Sequence, residues 1–199
     1  MGFVRLRPLE QERTTVKHPH VMVDLETLDT GSNAAIFSIG AVAFTPGHWH
    51  ERAEFYTLIN PEDCLSNNRT MSMATVRWWM EQDSVAKTEL VRSGQGGLAL
   101  AQALTDFSCW FQSAAHDGCL WGNGASFDNV ILANAYEAVK LPRPWSYKAD
   151  RCFRTAVRLL DPDGKLKPKD NEEAHNALAD ARWQAEYLDR MLALDNRRL

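Results

Sequence analysis

Residues 20–28 (HVMVDLETL) constrain this chain more than any other stretch. The run is short, rich in β-branched and other apolar residues, and reads as a strand, yet it carries Asp24 and Glu26. Strand side chains alternate between faces, so residues two apart share one. Both carboxylates therefore leave the same side of a strand whose apolar flanks mark it as central. Like charges so placed repel and are costly unless a cation lies between them. An isolated pair of this kind also fits a solvated face, so the rest of the chain has to decide.

A turn-rich link (LDTGSN) follows, then residues 35–44 (AIFSIGAVAF) and 54–60 (EFYTLIN), both strand-like and each closed by a proline. Three strands with short links read as antiparallel neighbours. The pattern then alternates. Helices are expected over 72–82, capped by Ser72, and over 98–114 and 128–139, with a short glycine-ended strand at 119–124 between the last two. A fifth strand is expected at 145–148, and helices at 150–160 and 177–194 are separated by the charged loop 161–171. The expected fold is α/β, a single mixed five-stranded sheet, three antiparallel strands then parallel ones, flanked by helices. Residues 1–18 read as a flexible polar leader and 19–199 as one domain.

Bulk properties exclude several classes. The net charge of −4 argues against a surface that coats a long duplex, which is usually basic, but not against an enzyme that takes a nucleic-acid end with the help of bound cations. The four cysteines form no CxxC pair and read as reduced thiols. No run approaches a signal peptide or the ~20 apolar residues of a membrane span, so a soluble cytoplasmic protein without membrane contact is expected.

Two further groups join Asp24 and Glu26. In WGNGASFDN, Asp128 opens a helix where a strand ends, the edge at which open α/β sheets place ligands; Gly122 and Gly124 permit close backbone approach. In HNALAD, His175 precedes the last helix and Asp180 lies within it, on a side otherwise rich in alanine, where an unpaired carboxylate is costly. Four carboxylates and one histidine are the hardware of two-metal phosphodiester hydrolysis, with ions about 3.5–4 Å apart. Mg²⁺ suits a few carboxylates plus water and phosphate.

In this order, DLET, FDN after a short strand, and H-x4-D at the last helix resemble the DEDDh group of the DnaQ-like exonucleases, over about residues 20–195. Within it, DLETLDT, TVRWWMEQ and WGNGASFDN look closest to phage-type exodeoxyribonucleases and small mycobacterial-type exoribonucleases. The resemblance implies a ribonuclease H-like fold and 3′→5′ hydrolysis of single-stranded DNA or RNA, releasing nucleoside 5′-monophosphates. It implies two Mg²⁺ ions, replaceable by Mn²⁺, held by Asp24, Glu26, Asp128 and Asp180, with His175 as general base. It also places Glu26, Thr27 and Leu28 at the terminal nucleotide, Leu28 as a wedge between bases. From residue type, Trp78 and Trp79 are candidates for base stacking, Phe127 and Asn129 for substrate contact, and the lysines of KLKPKD for the backbone. Leu28-Asp29-Thr30 departs from the D-x-E-T-T-G of proofreading relatives. Other readings stay open: a non-catalytic nucleic-acid module of the same fold, and a ribonuclease H-like endonuclease. The sugar and the oligomeric state are also open, a homodimer through the tryptophan-bearing helix being one arrangement.

Overall fold

In a computed structural model, residues 17–82, 84–115, 117–171 and 175–194 are described. The carboxylate-bearing run forms β1 (His20–Thr27) in the middle of a five-stranded sheet. It pairs antiparallel with β2 (Ile36–Phe44), which pairs antiparallel with β3 (Ala53–Leu58). On its other side β1 pairs in parallel with β4 (Cys119–Gly122), and β4 with β5 (Asp150–Cys152). The order is β3-β2-β1-β4-β5, the expected mixed sheet.

Side-chain alternation sorts the core into two layers. Val21, Val23 and Leu25 of β1 face one layer, against α4 (Leu100–Ala114) and α5 (Asp128–Ala138). Met22 faces the other, against α6 (Phe153–Leu160) and α7 (Ala177–Leu194). Asp24 and Glu26 continue the Met22 face, so the strand aims both acids toward α7. β2 is buried along its whole length, as a strand covered on both faces should be.

α7 touches the sheet through Gly40. That residue stands opposite Asp24 in the β1–β2 register, and a Cβ there would lie 2.1–2.3 Å from backbone atoms of Ala177 and Leu178. Glycine is thus the residue that lets the last helix lie on the sheet beside Asp24. Ala181, Ala185 and Leu188 form the buried side of α7, as its pattern predicts.

Some expectations do not hold. Residues 145–148 are not a strand: a 3₁₀ turn covers Tyr147–Ala149, and the strand is Asp150–Cys152, read from sequence as the start of a helix. Asp150 decides this, because its Oδ1 accepts from Trp145 Nε1 (3.0 Å) and Asn129 Nδ2 (2.9 Å), tying it beside Leu120 of β4. Four helices lie between β3 and β4 where two had been expected by sequence: α1 (Pro61–Ser66), α2 (Met73–Glu81) and α3 (Ser84–Gly96) precede α4, and both α1 and α3 are additional. The leader lies outside the described residues up to 16, and His18, assigned to it, is buried, its Nδ1 3.0 Å from Thr45 Oγ1.

Candidate active site

The carboxyl ends of β1 and β4 open into a cleft of about 350 Å³ lined by Asp24, Glu26, Asp128, His175 and Asp180, among others. One oxygen each from Asp24, Glu26 and Asp180 lie within 4.8 Å of one another. Asp128 lines the same cleft but stands outside that trio. The sequence elements thus converge from β1, α5 and α7 on one place.

Burial makes the cluster electrostatically expensive. It pushes Asp24 well above the usual carboxylate range, and the charges of Glu26, Asp128 and Asp180 push it further, against a hydrogen bond from Gln184. Glu26 rises for the same reasons, burial first, then Asp180, Glu89 and Asp128. Burial raises Asp128 to about 7, opposed by backbone hydrogen bonds and the charge of Arg154. Asp180 is raised by burial despite hydrogen bonds from Asn171 and the His175 backbone. Such a set of hard oxygen donors, crowded where each resists ionisation, fits one or two divalent cations, whose charge would replace protons as the counterweight.

Each acid is held in place. Gln184, one turn beyond Asp180 on α7, donates from Nε2 to Asp24 Oδ1 at 2.8 Å, while its own Oε1 is buried without a partner among the described residues. Asp180 accepts from Asn171 Nδ2 at 2.7 Å and from the His175 N–H at 2.9 Å. Gly122 supports Asp128: a Cβ at residue 122 would sit 2.9 Å from Asp128 Cβ and 2.3 Å from Asn129 Oδ1.

His175 adopts φ 66°, and its ring stands edge-on to Trp78 and Trp79, with centroids 5.0 and 6.0 Å away. The next residue anchors it. Asn176 accepts from the Ala179 N–H (3.0 Å) and donates to Glu89 Oε2 (2.9 Å), and Glu89 Oε1 accepts from the Tyr56 hydroxyl (2.6 Å). Glu89 is 4% exposed. Neither Glu89 nor Gln184 was found by sequence reasoning; a buried Glu on a helix with little apolar periodicity leaves no local signal.

A second, larger pocket of about 500 Å³ adjoins the cleft and shares Leu25, Glu26 and Phe127 with it. Thr27, Thr30, Trp78 and Trp79 complete much of its wall. Trp78 is 41% exposed, whereas Trp79 is 2% exposed with its Nε1 donating to Thr27 O at 2.9 Å, a structural role with one edge on the pocket. Two expected substrate residues are elsewhere. Leu28 is buried in the larger core and lines neither pocket, so it is not placed to wedge between bases. Asn129 is buried too, and its amide ties Leu120 O to Asp150, not a phosphate. The loop lysines are largely engaged: Lys165 pairs with Asp163 (2.9 Å) and Lys167 with Asp170 (3.0 Å).

A model of the Rv2179c-like 3′-5′ exoribonuclease domain matches residues 19–192, nearly the whole chain. The chain belongs to that family. Solved structures agree on the ribonuclease H-like fold of this Rv2179c-like domain. An Escherichia coli ExoI–ssDNA complex in its zinc-bound form superposes with TM-score 0.63 at 15% identity, over 92% of this chain and 42% of that one, so the Rv2179c-like domain spans less than half of ExoI. The nuclease domain of 3′hExo, a DEDDh family member bound to rAMP, gives 0.58 at 15% identity, covering 90% and 96%. Exonuclease X with 5′-overhanging duplex DNA gives 0.57 at 16%, covering 90% and 94%. No curated protein sequence matches significantly. Among the described residues, no helix is long and apolar enough to cross a membrane.

Proposed function

We propose that this chain removes nucleoside 5′-monophosphates one at a time from the 3′ end of a single strand, using divalent cations held by Asp24, Glu26, Asp128 and Asp180. The observation that carries the reading is the convergence of three ligand oxygens within 4.8 Å in a cleft that His175 also lines, next to a pocket of nucleotide size. When bound, two Mg²⁺ ions, or Mn²⁺ in their place, supply charge to stabilise the attacking and leaving oxygens of the scissile phosphate.

The residues do the rest. The terminal base and sugar enter the larger pocket, where Trp78 offers a stacking face and Thr27, Thr30 and Glu26 offer hydrogen-bonding groups. This sets the scissile phosphate over the acids. His175 takes the proton from the attacking water, for which an imidazole is suited near neutral pH. The water oxygen bonds to phosphorus, the bond to the 3′-oxygen of the preceding nucleotide breaks, that oxygen takes up a proton from solvent, and the mononucleotide leaves. The left-handed backbone of His175 and its mooring through Asn176 hold the ring at the cleft. The family description names ribonuclease activity, which puts RNA ahead of DNA as substrate.

The test is digestion of 5′-labelled RNA and DNA single strands with Mg²⁺ or Mn²⁺. A ladder shortening from the 3′ end supports the reading. Internal cuts, or no activity with metal present, would overturn it.

A further inference from the structure

A strand that reaches this site is a polyanion entering a cleft of carboxylates. Cations at the scissile phosphate offset the charge there but not on the next phosphate along. Among the described residues lining the acid cleft, Arg154 is the only Arg or Lys, and the adjoining pocket has none. It stands at the start of α6, on the side of the cleft near Asn123 and away from the larger pocket.

The side chain is also pre-set. Its Nε donates to Asn123 Oδ1 at 3.2 Å, and its guanidinium lies against Gly124, 3.7 Å from where a side chain there would begin. That leaves the two terminal nitrogens without a hydrogen-bond partner among the described residues. A planar fork held at its base with both tips free matches two phosphate oxygens, which an ammonium cannot do.

We propose that Arg154 grips the phosphate on the 5′ side of the scissile one, so that it positions strands of three or more nucleotides. This rests on the exonuclease reading: with the terminal nucleoside in the larger pocket and the scissile phosphate over the acids, the rest of the strand leaves past Asn123 and Arg154. This grip is distinguishable from the effect of its charge on Asp128, because a substrate with one phosphate feels only the latter.

Two substrates distinguish these roles. One is a single-stranded oligomer. The other is the p-nitrophenyl ester of a nucleoside 5′-monophosphate, which carries only the scissile phosphate. For Arg154→Ala, kcat/KM on the oligomer should fall about tenfold to a hundredfold more than on the ester, the range of a hydrogen bond to a charged group. The slope of log(kcat/KM) against log[salt] for the oligomer should become shallower by about 0.7, the value for one phosphate contact on a single strand. Arg154→Lys should keep the slope but recover only part of the rate. Equal losses on both substrates would show a merely structural role and overturn the proposal, as would an unchanged salt slope. If the native protein with metal cleaves neither substrate, the exonuclease reading itself fails and this one with it.

Discussion

Asp128→Asn offers a test of the electrostatics that requires no substrate. In the folded, metal-free chain burial raises Asp128 from 3.8 to about 7. A raised carboxyl holds its proton longer in the folded chain than in the unfolded one. Stability is therefore lost as pH climbs from about 4 to about 7 and stays low above that. At ~1.4 kcal/mol per pH unit, the gap corresponds to roughly 4 kcal/mol. Asparagine removes the charge but keeps only one acceptor oxygen for the backbone groups that now bond the carboxylate, at ~1 kcal/mol per bond lost. A net gain of about 2 kcal/mol at pH 8 remains, or ~4–8 °C in Tm for a chain of this size. The assay is thermal unfolding in chelator from pH 4.5 to 8. The variant should exceed the native protein at pH 8 and lose that lead, falling slightly below it, near pH 4.5. Added Mg²⁺ should reverse the order, because the native site gains a counter-charge that the variant binds poorly. A variant no more stable than the native chain at pH 8, or a gap that does not narrow on acidification, would refute the picture of a carboxylate strained by its burial.

Other perturbations follow from the same geometry. His175→Ala should retain the metal-dependent rise in Tm while kcat falls about 10²–10⁴-fold; loss of metal binding would reassign the residue. Gly122→Ala should cost about 1–3 kcal/mol and reduce activity by at least tenfold, since its Cβ would displace Asp128 and Asn129; calorimetry and kinetics together check this. The paired tryptophans should separate. Trp79→Ala should lower stability by about 3–5 kcal/mol, while Trp78→Ala should leave Tm nearly unchanged and raise KM about five- to a hundredfold; equal effects would contradict the burial difference.

The sheet could be read from sequence because β1 and β2 are both apolar and long enough to show their period, and α7 because Ala181, Ala185 and Leu188 recur on one side. α3 could not. Its buried positions include Ala86, Glu89 and Ser93, at helical spacing but mostly polar, so the usual apolar signal is missing. β5 is three residues long, too short for alternation, and its place is set by hydrogen bonds to Asp150 from residues elsewhere in the chain. The four carboxylates and His175 were found as an ordered set of motifs. Gln184 and Arg154 belong to no motif. They matter through what α7 and α6 bring near Asp24 and Asn123, which only the assembled chain shows.

The contact of Gly40 with the start of α7 has a consequence for how the protein tolerates change. Because α7 is seated directly on β2, Asp180 and Gln184 take their places from the sheet. His175 is moored to the same helix by its N–H on Asp180 and by Asn176 on Ala179, so its imidazole is tied to α7. The charged loop before it reaches the acids through Asn171, whose amide holds Asp180. Away from Asn171 it can exchange its lysines to suit different strands without touching the acids, because the seat of α7 on the sheet is set by one glycine.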